Sequence, residues 1–255
     1  NSLIKKAAEF IVSYLDDKTG LPKASYDIWE RTYAIHTFTA GAVYGALNSA
    51  ARFAELLGKS ESAKEYEQGA GSIKKAILKY LYDADNGVFY KSLDTRSKTP
   101  LDKTYDMSSV YGIYKFGVLA PTDPKVKSAI EKTLQRLKVK TDIGGIARFE
   151  GDSYHHKGGN YPGNPWVVTT MWFAQYLIEL AKKEEDMKEV RTLLSWAVSR
   201  ANPAGLLAEQ YDPYTGEHVS ASPLVWSHAE YVTTIINYLK KLEELGVCKA
   251  CYPIT

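Results

Sequence analysis

Cysteine is nearly missing from the 255-residue sequence: the only two, Cys248 and Cys251, sit in the C-terminal tail. A single Cys-Lys-Ala-Cys segment with no second pair and no histidine cluster cannot supply the four ligands of a structural zinc site. The pair reads as incidental thiols, or at most a local disulfide, and leaves the compartment open. An excess of charge is also missing, since 32 basic and 30 acidic side chains leave a net +2 with no long run of either sign. That removes the electrostatic case for nucleic acid or an anionic membrane as a partner. No apolar run approaches the roughly 20 residues of a membrane-spanning helix, so a soluble chain is expected. The chain opens at Asn1-Ser2-Leu3 without a Met or a leader-like segment, as a processed or truncated product would.

Aromatic residues, by contrast, are plentiful: 19 Tyr, 5 Trp and 7 Phe. Tyrosine can serve as core. It is also what sugar-binding clefts use, because each ring offers a flat apolar face and a hydroxyl. Hydrophobic periodicity marks eight helices, at about 2–16, 33–57, 60–82, 106–117, 123–137, 164–184, 186–200 and 223–244. Gly58 should stop the second, Ser60 cap the third, Asp123-Pro124 open the fifth, and Ser222-Pro223 cap and open the eighth. An Asp85-Asn86-Gly87 turn predicts a hairpin, and nothing predicts a sustained β-sheet. The stretch 138–164 is rich in Gly and His and irregular, and a loop of that length inside a compact domain usually has a function. No Pro- or Ser-rich linker divides the chain, and one all-α domain of stacked helix pairs is expected.

Two carboxylates stand out against this helical background. Tyr26-Asp27-Ile28-Trp29-Glu30 places Glu30 beside an indole in a polar loop, and Ala208-Glu209-Gln210-Tyr211-Asp212 places Glu209 in another. A carboxyl against an aromatic face is poorly solvated when charged, so its pKa tends to rise, which suits a general acid. A pair of such residues, one acid and one base, is what glycosidic-bond cleavage needs. Taken singly, each Glu has the plainer reading of a helix-flanking acid.

Five segments, in order, resemble the glucoamylase family, glycoside hydrolase family 15. Tyr26-Asp27-Ile28-Trp29-Glu30 resembles its general-acid loop, and Gly145-Ile146-Ala147-Arg148-Phe149-Glu150-Gly151-Asp152 resembles the segment whose Arg grips the sugar. Gly163-Asn164-Pro165-Trp166 resembles the loop lining the aglycone side. Ala208-Glu209-Gln210-Tyr211-Asp212 resembles the general-base segment, and Pro223-Leu224-Val225-Trp226-Ser227 the stretch whose Trp walls the glucose pocket. The resemblance implies an (α/α)6 toroid, here incomplete, with about eight of twelve helices. It also implies that the chain is the C-terminal two-thirds of the barrel, without the N-terminal helices and a β-sandwich domain. The implied activity is that of an inverting, exo-acting α-glucosidase on α-glucans or short α-glucosides. Glu30 is its acid and Glu209 its base, with Asp27, Trp29, Arg148, Asp152, Trp166 and Trp226 at the substrate. The two-carboxylate mechanism calls for no metal or organic cofactor, and the adjacent His155-His156 pair is too weak a signal for one. The position after Glu30, a second Glu in the family, is Arg31 here, which bears on linkage preference.

Plainer roles stay open. Arg148 has the alternative of a surface pair with Glu150 or Asp152, Trp166 that of a core residue, and Asp27 that of a loop acid. A non-catalytic fragment, or half of a split barrel needing a complementary chain, is the alternative for the whole. A helical cyclase would need an Asp-rich motif, which is absent.

Overall fold

In the computed structural model, which describes residues 2–251, small and apolar residues at helical spacing build eight α-helices. They are α1 (Ser2–Ser13), α2 (Thr37–Leu56), α3 (Ser60–Tyr80), α4 (Met107–Lys115), α5 (Pro124–Leu137), α6 (Val167–Leu180), α7 (Lys188–Val198) and α8 (Val225–Glu244). The strands are two to four residues long: β1 (Ser25–Tyr26), β2 (Tyr33–His36), β3 (Tyr82–Asp83), β4 (Val88–Phe89), β5 (Ser92–Leu93), β6 (Leu101–Asp102), β7 (Gln210–Tyr211) and β8 (His218–Val219). Two compact units divide the chain, Asn1–Thr133 and Leu134–Thr255.

In the first unit α2 packs on α3 and α4. Leu47, Ala51 and Ala54 of α2 and Ala63, Ile73 and Ile77 of α3 are all buried. Burying a Leu or Ile contributes about 1.5–3 kcal/mol, so such a stripe outweighs the modest helix propensity of the chain around it. Gly58, at φ +69, ends α2 as expected. Its N–H donates to Glu55 O and that of Lys59 to Ala54 O, the paired bonds of a left-handed helix stop. Contact with α4 is closer still: a Cβ on Gly41 would lie 2.6 Å from the Gly112 carbonyl oxygen. Only glycine fits there.

The helix expected to begin near residue 33 begins at Thr37 instead. Tyr33–His36 pairs as a strand, with Tyr26 opposite Tyr33 and Ser25 opposite Ala34 on one side, and Ile35 opposite Leu93 on the other. The result is a four-stranded antiparallel sheet in the order β1-β2-β5-β6. Its strands are too short for periodicity to reveal. The Asp85-Asn86-Gly87 hairpin is present between β3 and β4, with Gly87 at φ +62 and Asp83 accepting from the Asn86 backbone and side chain.

In the second unit the core joins Val167, Met171, Ala174 and Ile178 of α6 to Val190, Leu194 and Ala197 of α7 and to Leu207, Ala208 and Tyr211; Tyr231, Ile235 and Leu242 of α8 pack against it. Every residue of α6 from Val167 to Tyr176 is buried, as suits a helix that is apolar on nearly all faces. Three helix starts differ in detail from expectation. Ser60 is the first residue of α3 rather than its cap. Ser222-Pro223 is a cis peptide ahead of α8, which starts at Val225. Asn164-Pro165 precedes α6, whose cap position is Trp166. Cys248 and Cys251 form a local disulfide rather than free thiols.

Candidate active site

Glu30 sits at the tip of the β1–β2 hairpin. The loop 27–32 closes through Asp27 N–H to Thr32 O, and Glu30 N–H donates to Asp27 O at 2.9 Å. Glu30 has φ +57, a left-handed conformation that costs a non-glycine residue about 1–3 kcal/mol. Asp27 bears on that conformation: its Oδ1 accepts from the Arg31 and Thr32 amides at 2.6 and 3.2 Å. Trp29 points inward, its Nε1 donating to Asp106 Oδ2 at 3.0 Å, while Glu30 is exposed. The indole therefore does not cover the Glu30 carboxyl in the way the adjacency of the two residues suggested.

Beneath the loop lies a buried polar cluster that the sequence pattern did not single out. Lys91 Nζ is 3.3 Å from Asp106 Oδ2 and 3.8 Å from Asp27 Oδ2, with all three side chains no more than 6% exposed. Asp106 also caps α4 through the Ser108 N–H at 2.8 Å. His36 adjoins the cluster, its Nε2 3.0 Å from Thr32 O. Desolvation holds its imidazole below the ordinary histidine range, opposed by the Thr32 carbonyl and the Asp27 charge.

Glu209 is held differently. Short backbone bridges set Ile146 beside Trp166 and Trp166 beside Gln210. The first turn of α6 secures this arrangement, Thr169 Oγ1 donating to Ile146 O and Thr170 Oγ1 to Trp166 O, each at 2.7 Å. The register brings Asn164, Gln210 and Glu209 into line. Asn164 Nδ2 donates to Gln210 Oε1 at 2.8 Å, and Gln210 Nε2 donates to Glu209 Oε2 at 3.1 Å. Asn164 and Gln210 are buried and Glu209 half-buried, so a relay of neutral amides reaches out of the interior to one carboxylate oxygen.

Arg148 does pair with Asp152, but inside the protein. Its Nε and Nη2 donate to the two carboxylate oxygens at 2.7 and 2.9 Å, and its guanidinium lies 4.2 Å from the centre of the Trp166 ring. Trp166, 3% exposed, is therefore a platform under Arg148 rather than an open wall. Trp226 is half-buried on the first turn of α8. It meets Trp172 edge to face at 5.9 Å and donates to Glu230 Oε1 at 3.3 Å, while Gln175 donates to Glu230 Oε2 at 2.8 Å. The Gly-rich loop is tied down by Lys157, whose Nζ is 2.7 Å from Asp212 Oδ2. Burial would raise the Asp212 carboxyl, but Lys157 and the Thr215 and Tyr214 amides bring it down to about 2. No metal-binding cluster of His, Cys, Asp or Glu occurs among the described residues.

The structure thus gathers Asp27, Trp29 and Glu30 in the first unit, and Arg148, Asp152 and Trp166 in the second, where Glu209 and Trp226 have surroundings of their own. Lys91, Asp106 and Glu230 went unnoticed in the sequence, and Asn164 and Gln210 stood there only as members of longer segments, with no role of their own. The one signal for them was chemical: polar residues beside strongly apolar helix starts must find partners if buried.

The fold has close counterparts. A bacterial glucoamylase complexed with acarbose superposes with a TM-score of 0.73 at 24% identity, over 95% of this chain and 38% of that one. The helices are those of the (α/α)6 toroid class. The sequence profile of glycosyl hydrolases family 15 matches residues 2–236, and the chain belongs to that family. An uncharacterized glycosyl hydrolase of Methanocaldococcus jannaschii is 30% identical over 216 residues, 81% of this chain and 33% of its own length. A glucoamylase of Clostridium sp. is 28% identical over 260 residues, 91% of this chain and 35% of its own. The chain spans about a third of the length of these relatives.

Proposed function

We propose that the chain forms the C-terminal two-thirds of the catalytic barrel of an inverting, exo-acting α-glucosidase. It acts together with the helices that complete the barrel, and releases β-glucose from the non-reducing ends of α-glucans or short α-glucosides. The observation that carries this reading is the amide relay from Asn164 through Gln210 to Glu209. It fixes one carboxylate oxygen with a neutral donor and leaves the other oxygen to take a proton from water. Glu30, presented to solvent at a braced hairpin tip, is the matching acid.

In this reading Glu30 protonates the glycosidic oxygen as the bond to the leaving group breaks. Glu209 removes a proton from a water that attacks the anomeric carbon from the opposite face. Inversion requires the two carboxyls to stand roughly 6.5–9.5 Å apart, with room for that water. Arg148, its plane fixed by Asp152 and Trp166, orients sugar hydroxyls, and Trp226 lines the pocket.

In the full-length protein, NMR of the fresh product should show the β-anomer. Glu209→Gln should slow the chemical step by about 10²–10⁴-fold with little change in substrate binding. An α-anomeric product, or near-wild-type turnover by Glu209→Gln, refutes the assignment.

A further inference from the structure

A lysine is almost never fully buried unless it is paired, because desolvating an ammonium costs several kcal/mol. Lys91 is 6% exposed. Its backbone is clamped on both sides, its N–H donating to Asp102 O at 2.9 Å and its carbonyl accepting from Thr37 N–H at 3.2 Å. The side chain reaches two carboxylates, Asp27 and Asp106. Each also holds the loop that carries Glu30, Asp106 dividing its oxygens between that loop and the first turn of α4, where Ser108 donates to Oδ1. Asp27 holds the Arg31 and Thr32 amides, and Asp106 holds the Trp29 indole.

We propose that Lys91 is a positioning residue for the Glu30 carboxyl, bracing through Asp27 the Arg31 and Thr32 amides on one side of it and through Asp106 the Trp29 indole on the other. The inference rests on the reading of Glu30 as the general acid. One ammonium holds the anchors three residues and one residue ahead of Glu30, and Glu30 itself adopts a left-handed conformation that persists only in over-determined surroundings. An ion pair serving stability alone would not need both carboxylates to be tied to the same six-residue turn. Without the ammonium, two buried carboxylates lose their cation, the turn relaxes, and the Glu30 carboxyl leaves the glycosidic oxygen. A displacement of about 1 Å is enough to cost on the order of 10²-fold in a positioned reaction.

Lys91→Met keeps the apolar stem and removes the charge. The decisive readout in the full-length protein is the ratio of kcat on a natural α-glucoside to kcat on a nitrophenyl α-glucoside, whose leaving group needs little protonation. Lys91→Met should lower that ratio by about tenfold or more with KM little changed, since only acid catalysis is impaired. A purely structural lysine would lower both rates alike through the folded fraction, and an unchanged ratio overturns the proposal. If the single variant does not fold, Lys91→Met with Asp27→Asn removes one buried carboxylate together with the cation and keeps an acceptor for the loop amides. The same fall in the ratio is expected, and a wild-type ratio again overturns it. Glu30→Gln separates the two readings. If it retains wild-type turnover of the natural substrate, the general-acid assignment fails. If it loses that turnover while Lys91→Met keeps the wild-type ratio, only the role of Lys91 fails.

Discussion

Glu30 and Glu209 are secured by opposite means. Around Glu30 the fixed elements are charged and act at a distance: Lys91, Asp27 and Asp106 brace a turn, and the carboxyl itself projects into solvent. Around Glu209 the fixed element is neutral and acts by contact, a buried amide touching the carboxylate. The difference has a chemical rationale. On the proposed roles, a full positive charge against a general base would stabilise its ionised form and weaken it, whereas an amide donor orients the carboxylate without placing a full charge on it. Charges that brace a turn from below can fix the geometry of an acid with no cation placed on it.

The comparison can be broken at three points. The largest effect is expected at Arg148→Met, which leaves the buried Asp152 without its cation. Loss of one partner of a buried pair typically costs about 3–5 kcal/mol, to be read from denaturant unfolding. A loss below about 1 kcal/mol would mean that water replaces the guanidinium and that Trp166 needs no charge above it. Next is Gln210→Leu, which interrupts the relay and frees the Glu209 carboxylate to turn. A fall in kcat of about tenfold is expected, with KM and the response to leaving group unchanged, because the acid is untouched. Sensitivity to the leaving group in this variant would blur the division between the two sides.

The smallest effect is in pH. Asp212 is lowered to about 2 in the folded protein from an ordinary 3.8, so its share of stability is present above about pH 4 and is lost as pH falls through 2. His36 is also lowered, from 6.5, and the unfolded chain therefore takes up its proton first. Its share is present above pH 6.5 and is lost as pH falls below that value. Thermal melts should accordingly decline in two stages on acidification. His36→Gln should flatten the upper stage and Asp212→Asn the lower, and a single stage in the wild type would contradict the assignment.

Most helices were legible because burial on one face imposes a period on the sequence, as in α3, where Ala63, Ile73 and Ile77 are buried as spaced. Tyr33–His36 was misread because Ile35 continues the period of α2; pairing with Tyr26 and Leu93 decides its conformation, and those partners are distant in sequence. The carboxylates were legible from their loops and from family resemblance. Their supports were not, because Lys91 and Asp106, or Asn164 and Gln210, are 15 and 46 residues apart and follow no periodic pattern. Trp29 and Trp166 were noticed as aromatic, with a core role left open for Trp166, but their inward packing was not legible, since sequence does not say which way a ring points.

The contact of Gly41 with Gly112 sets a tolerance for all of this. Helix α2 continues directly from strand β2, and helix α4 opens with Asp106, so the gap between the two helices gauges how far the hairpin stands from the acceptor of its tryptophan. The gauge has no clearance, because a methyl group on Gly41 would meet backbone rather than a side chain able to move aside. A variant such as Gly41→Ala would retain every ionisable and hydrogen-bonding group and still shift the hairpin that carries Glu30.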